Sequence, residues 1–165
     1  MSEIKFATIG TSKITKTFLS AASNVPGFKL EATYSRNIKN AIEFGTPYNV
    51  TKFYDSLKAL AEDRTIDAVY IASPNAFHCS QAIQMMKAGK HVLCEKSLAS
   101  NKKEAEEMFR TAAENNVILL EAMRPVFDPG MDAVKASLNK LGVIRRATLN
   151  YCQYSSRYDS FLQGH

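Results

Sequence analysis

The chain has 165 residues, 45% of them hydrophobic and 22% charged, with a net charge of +5 at pH 7. That length can bury one real core and lies at the upper edge of a single domain. Its Lys and Arg are scattered along the chain, so the charge reads as solubility with some help for an anionic ligand and not as a nucleic-acid footprint, and no apolar run approaches the roughly 20 residues of a membrane span.

The first element is a short apolar run, Ile4 to Ile9, that ends in Gly10. A helical pattern follows, with Ile14, Phe18, Leu19 and Ala22 at about helical spacing. Strand, tight glycine turn and helix open a dinucleotide-binding unit, in which helix N–H groups and the positive helix end receive a pyrophosphate. The glycine fingerprint is degraded, because its three places hold Gly10, Ser12 and Thr15. Ser12 is small enough for a phosphate to approach, and its hydroxyl either caps the helix or donates to that phosphate.

Asn24-Val25-Pro26-Gly27 marks a turn, and Phe28 to Tyr34 reads as a second strand ending at Ser35-Arg36-Asn37. At this strand end an NAD site places a carboxylate and an NADP site an arginine. No carboxylate is present; Ser35 and Arg36 are, with Lys39 close behind, which favours NADP over NAD. A helix over Ile38–Phe44 stops at Gly45-Thr46-Pro47, and a short strand, Lys52-Phe53-Tyr54, leads to Asp55 as cap for a helix over Ser56–Glu62.

Asp67 to Ala72 is a buried-type strand running into Ser73-Pro74-Asn75. Asn75 is placed to cap a helix to Lys87, with Gly89 as its stop and Ala82, Ile83, Met85 and Met86 as its apolar face. The strand His91–Cys94 ends in Glu95-Lys96-Ser97. Ser100 then caps a long helix to about Asn116 with Ala105, Met108, Phe109 and Ala112 inward, and the strand Val117–Leu120 ends at Glu121-Ala122-Met123-Arg124. Such alternation predicts an α/β fold, a doubly wound parallel sheet of the Rossmann type over residues 1–124. Ligands gather at the carboxyl ends of its strands, where Gly10, Arg36, Ser73–Asn75, Glu95-Lys96 and Glu121–Arg124 all fall. Residues 125–165 read as the incomplete start of a second, α+β domain, with an amphipathic helix over Asp128–Lys140 and strand-like alternation over Ala147–Tyr154.

Met1-Ser2-Glu3 leads directly into the first strand, so no signal peptide is expected. Cys79, Cys94 and Cys152 lack metal-ligand spacing and read as idle thiols in a reducing cytoplasm.

Together, Ile9-Gly10-Thr11-Ser12-Lys13-Ile14, Tyr34-Ser35-Arg36, Ala72-Ser73-Pro74-Asn75 with His78, Ala88-Gly89-Lys90-His91-Val92, Glu95-Lys96 and Glu121-Ala122-Met123-Arg124 resemble the Gfo/Idh/MocA oxidoreductases. These are relatives of glucose-fructose oxidoreductase and inositol dehydrogenase, and dihydrodiol dehydrogenase is among them. The resemblance covers essentially the whole chain. It implies hydride transfer between NADP(H) or NAD(H) and a hydroxyl or carbonyl carbon of a sugar-, polyol- or dihydrodiol-like substrate.

It further implies that Gly10, Thr11, Ser12, Lys13 and Ile14 hold the pyrophosphate, Ser35 and Arg36 the adenosine side, and Ser73, Pro74, Asn75 and His78 the floor, and that Arg124 also binds the cofactor. Lys96 carries the catalytic role near the nicotinamide, and Glu95 either orients it or contacts the cofactor ribose. For His78 a helix-start side chain that bonds the backbone is the other reading. Ser97 replaces the family's usual proline and is expected to loosen the turn. The family's acid/base partner and its pairing sheet belong to a second domain, so residues 1–165 alone are expected to bind nucleotide weakly and turn over poorly, and the full-length protein to be a homo-oligomer. A non-catalytic NADP sensor using the same cleft is the alternative, and a cofactor-free flavodoxin-like domain a third.

Overall fold

In a computed structural model of the chain, residues 3–155 and 158–164 are described. Six strands, β1 (Ile4–Ile9), β2 (Phe28–Tyr34), β3 (Lys52–Tyr54), β4 (Ala68–Ile71), β5 (His91–Cys94) and β6 (Leu119–Glu121), form one sheet in the order β3-β2-β1-β4-β5-β6. Every neighbouring pair is parallel. The order reverses between β1 and β4, so their carboxyl ends open the crevice in which this fold binds ligands. It also excludes the flavodoxin-like alternative, in which β1 neighbours β3.

Helices α1 (Lys13–Ala22), α2 (Ile38–Gly45), α3 (Leu57–Glu62), α4 (His78–Lys87) and α5 (Lys102–Glu114) alternate with the strands. Successive strand residues face opposite sides of the sheet, and the packing follows that period. Val69 and Ile71 of β4 join Ile9, Val92 and Cys94 in a core completed by Ala82, Met85 and Met86 of α4 and Met108 and Ala112 of α5. Tyr70, between them in sequence, faces the other side and stacks on Phe18 of α1 at 3.9 Å, where Phe18 also meets Phe6 and Phe28. Burying one such large apolar side chain is worth about 1.5–3 kcal/mol, so the two clusters supply much of the drive to fold.

Several local expectations give way to better partners. Ser56, not Asp55, caps α3 by accepting from the Ala59 N–H, and Asn101, not Ser100, caps α5 by accepting from the Glu104 N–H at 3.0 Å. Ser100, the residue before the cap, instead donates its own N–H to the Glu104 carboxylate at 2.9 Å. Phe109 is 56% exposed, and Thr111 takes the buried position expected for it, because the inward stripe of α5 runs Met108-Thr111-Ala112.

The chain divides into two compact units, Met1–Arg124 and Pro125–His165. The second contains α6 (Pro129–Leu138), capped by Asp128 through the Gly130 N–H, and α7 (Tyr158–Leu162). Ala147–Tyr154 is not a strand. Its alternation finds no ladder partner among the described residues, and an unpaired strand is not stable. Ser156, Arg157 and His165 lie outside the described residues.

Candidate functional site

The crevice at the β1–β4 switch point is a groove of about 440 Å³, lined by Gly10, Thr11 and Ser12 on one side and by Ala72, Ser73 and Pro74 on the other. Gly10 is obligatory there for two reasons. Its φ is +111°, and a Cβ would sit 2.6 Å from the Ala72 carbonyl oxygen, so only glycine lets the β1 tip turn against the β4 tip. Ser12 is the N-cap residue of α1, but its hydroxyl makes no capping bond, and no acidic residue occupies the first turn. The positive end of α1 is therefore left uncompensated at the mouth of the groove.

The second wall comes from β2. Ser35 donates its N–H to the Tyr54 carbonyl at 3.1 Å, and Asn37 caps α2 by accepting from Lys39. These two anchors fix the backbone on either side of Arg36, whose guanidinium lies 5.9 Å from the centroid of the Phe77 ring. Phe77 belongs to a short 3₁₀ turn, Asn75–Phe77, at the β4 tip. Arg36 and Phe77 thus face each other from opposite walls, and Ile9, Tyr34, Ser35, Asn40, Leu57 and Gln81 complete the lining. Burial raises the pKa of the Tyr34 phenol, opposed by Arg36, so it lines the groove as a neutral hydroxyl at pH 7.

Glu95 and Lys96 follow β5, the next strand along. The Lys96 side chain is exposed, while the turn beneath it is pinned. Tyr70 donates its hydroxyl to the Glu95 carboxylate at 2.6 Å, and Leu98 donates its N–H to Glu121 at 2.9 Å. The Glu95 N–H itself bonds the Ile71 carbonyl at 2.8 Å. Burial, reinforced by the bond to Glu95, drives the Tyr70 phenol well above its usual range, which keeps it a donor. Cys94, fully buried below this turn, is pushed up to about 12 by burial and then by the Glu95 and Glu121 charges, so it is an inert thiol.

Residues 4–123 match the oxidoreductase family with an NAD-binding Rossmann fold, known as Gfo/Idh/MocA. This chain belongs to the Gfo/Idh/MocA family. It is 50% identical over 161 residues to scyllo-inositol 2-dehydrogenase (NADP(+)) of Bacillus subtilis, covering 98% of this chain and 49% of that protein. It is 30% identical over 141 residues to trans-1,2-dihydrobenzene-1,2-diol dehydrogenase of Xenopus tropicalis, covering 84% of the chain and 43% of the relative. Among solved structures it is similar to KijD10, a 3-ketoreductase from Actinomadura kijaniata in complex with TDP-benzene and NADP. There the TM-score is 0.79 and the identity 30%, over 87% of this chain and 45% of that one. The chain therefore spans about half the length of these relatives.

Within this Gfo/Idh/MocA domain the residues singled out from sequence separate into three groups. Gly10, Thr11, Ser12, Ser35, Arg36, Ser73 and Pro74 share the one groove. Lys13 and Ile14 do not line it; both are exposed on the first turn of α1, with Ile14 at 40%. Glu95 and Lys96 lie at the neighbouring strand tip, and Arg124 is exposed beyond β6.

His78 and Asn75 depart furthest from expectation. His78 is 1% exposed, and its two ring nitrogens each lie 2.9 Å from a carbonyl oxygen, those of Ser73 and Ser97. It is spent on the backbone beneath the groove, which is the second of the two readings open for it. Asn75 makes no capping bond; Phe77 is the N-cap residue of α4, and no side chain caps it. The Ser97 carbonyl is one of the two that face His78. Phe77, Asn40 and Gln81 were not foreseen as lining residues. Their only signal was proximity, as Phe77 follows Asn75 by two residues and Asn40 follows Arg36 by about one helical turn.

The groove suits a dinucleotide by its donor set. It has an uncapped helix end with a small hydroxyl for a pyrophosphate, a guanidinium beside a serine for a ribose phosphate, and aromatic and apolar walls for a base. Among the described residues no group of three or more His, Cys, Asp or Glu suited to a metal occurs, and no helix among them is long and apolar enough to cross a membrane.

Proposed function

We propose that this chain is the coenzyme-binding part of an NADP-preferring dehydrogenase or reductase. Its substrate would be a hydroxyl or carbonyl carbon of a sugar-, polyol- or dihydrodiol-like molecule. The observation that carries the reading is one groove shared by the Gly10–Ser12 turn after β1, Ser35–Arg36 after β2 and Ser73–Pro74 after β4, with the Glu95–Lys96 pair at the tip of β5, the strand next to β4. The relatives named above, an NADP(+) inositol dehydrogenase, a dihydrodiol dehydrogenase and a ketoreductase bound to NADP, support the substrate class and the coenzyme.

A bound nicotinamide coenzyme supplies or accepts the hydride. The chain's own residues do the rest. The N–H groups at the start of α1 and the Ser12 hydroxyl receive the pyrophosphate, a charge-assisted interaction strengthened by the helix end. Arg36 and Ser35 hold the phosphate that distinguishes NADP from NAD. Lys96 places an ammonium at the reacting oxygen, where it stabilises negative charge developing on that atom and gives or takes a proton there. Glu95 orients the lysine through the turn they share. Residues 125–165 belong, in this reading, to the beginning of a substrate and pairing domain.

The test is turnover of NADPH with sugar-like carbonyl substrates by the protein expressed from its complete coding sequence, beside its Lys96→Met variant. The reading requires Lys96→Met to lose turnover with NADPH binding largely kept. A nucleotide sensor would show no turnover in either form.

A further inference from the structure

The turn that carries Lys96 is held from three different elements. From β4, the Tyr70 hydroxyl donates to the Glu95 carboxylate at 2.6 Å, and the Tyr70 ring is itself fixed by stacking on Phe18 at 3.9 Å. From α4, the His78 ring lies 2.9 Å from the Ser97 carbonyl oxygen. From β6, the Glu121 carboxylate accepts the Leu98 N–H at 2.9 Å. Tyr70 and His78 are each 1% exposed, so one partner of each of their bonds is shielded from water, although the bonds themselves are part-buried. Four consecutive residues, Glu95 to Leu98, are thus tied on both sides of Lys96 while its ammonium stays free to move.

His78 does one thing more. Its other ring nitrogen lies 2.9 Å from the Ser73 carbonyl oxygen, and Ser73 lines the groove. Whichever tautomer is present, an N–H donates to one of the two carbonyls. The adjacent α4 residue Gln81 accepts the Ser73 hydroxyl at 2.6 Å. One buried ring therefore spans the floor of the coenzyme groove and the turn of the reactive lysine.

We propose that Tyr70, His78 and Glu121 are positioning residues for Lys96. They set the height and direction of its backbone relative to the groove, with the buried His78 ring packed between the Ser97 carbonyl and the Ser73 floor. This rests on the reading of Lys96 given above. A misplacement of about 1 Å at a reacting group can cost about 100-fold in rate. Loss of one tether therefore shows in kcat before it shows in coenzyme affinity.

The experiment compares Tyr70→Phe, His78→Asn and Glu121→Gln with the wild type and with Lys96→Met, all in the protein expressed from its complete coding sequence. It reads kcat, KM, the NADPH dissociation constant and amide hydrogen exchange at Lys96–Leu98. Tyr70→Phe keeps the ring stacked on Phe18, so it remains informative even where His78→Asn fails to fold. Expected for Tyr70→Phe is a kcat lower by about tenfold or more, an NADPH affinity within about twofold of wild type, and faster exchange at Lys96–Leu98. Wild-type kcat in Tyr70→Phe, with Lys96→Met inactive, overturns the proposal. Unchanged exchange in Tyr70→Phe overturns it whatever the activities are. Full turnover in Lys96→Met instead sinks the catalytic reading, and the exchange measurement still decides whether the tethers exist.

Discussion

The guanidinium of Arg36, at the tip of β2, lies over the ring of Phe77, at the tip of β4, 5.9 Å from its centroid. The pair faces across the groove, and in the function proposed above this cation meets the phosphate on the adenosine ribose. Removing a charge-assisted bond costs about 1.5–3 kcal/mol, or roughly 10- to 150-fold in affinity. Arg36→Ala is expected to weaken NADPH by about that factor and NADH far less, in parallel titrations. Phe77→Ala, which removes the cation–π support and one aromatic part of the wall but leaves the guanidinium, is expected to cost NADPH less, with about 0.5–1 kcal/mol from the lost cation–π contact. Equal losses of NADPH and NADH in Arg36→Ala would remove the phosphate contact from the account.

Gly10→Ala tests the turn at the switch point. The added methyl meets the Ala72 carbonyl at 2.6 Å, and φ of +111° is hostile to any L side chain. Two strand tips must separate to admit it, so both stability and coenzyme binding should fall. The expected cost is about 1–3 kcal/mol of unfolding free energy, read by urea titration. A variant as stable as wild type that binds NADPH normally would show that the tips are not in close apposition.

Thr8 offers a contrary change. It is fully buried in β1, and its hydroxyl has no hydrogen-bond partner among the described residues. Leaving a buried hydroxyl unsatisfied costs about 1–3 kcal/mol, whereas an apolar group of the same shape carries no such penalty. Thr8→Val is therefore expected to match or exceed wild-type stability in thermal unfolding, while Thr33→Val, which loses a 2.9 Å bond from Thr33 to the Ala41 carbonyl, is expected to lower it.

The pH profile of stability has an identifiable source away from the groove. Asp63 accepts from the Tyr54 hydroxyl, Lys52 and both the N–H and the hydroxyl of Thr65. Burial opposes its ionisation, but these bonds outweigh burial and hold its carboxyl well below the usual carboxylate range. The native state thus favours the charged form. Its contribution is present above about pH 4, the ordinary carboxylate value, and is lost as pH falls below it. Tyr54 behaves oppositely. Burial, then its bond to Asp63, pushes the phenol up to about 12, so the stability it adds is lost as pH rises from about 10 toward that value. Unfolding of Asp63→Asn followed from pH 7 to pH 2 should show a flatter acid limb than wild type. Parallel curves would mean that Asp63 is not the group responsible.

The sequence pattern carried the frame of the fold because parallel strands buried on both faces are written as short apolar runs. Phe28–Tyr34, Lys52–Tyr54 and His91–Cys94 are strands with the bounds the pattern suggests. What the pattern does not carry is a choice between neighbouring polar residues. Asp55 and Ser56, or Ser100 and Asn101, are equally good caps by type, and the path of the incoming chain selects one. Phe109 was assigned inward because Phe is apolar, yet its place on the helix puts it outside the stripe that Met108 and Ala112 define.

Long-range polar contacts were illegible for another reason. Nothing near His78 in sequence announces the Ser97 carbonyl nineteen residues on, and nothing near Tyr70 announces Glu95. Both pairings arise only when parallel β4 and β5 bring their tips side by side. The groove was legible because its members sit at strand ends, which the fold gathers without regard to their distance in the chain.

A crystal structure of the protein grown with excess NADPH tests the central claim most directly. The account predicts coenzyme along the β1–β4 crevice, its pyrophosphate at the Gly10–Ser12 turn, its ribose phosphate on Ser35 and Arg36, and its nicotinamide beside Lys96. A groove left empty at saturating NADPH, or coenzyme bound elsewhere on the chain, would contradict it.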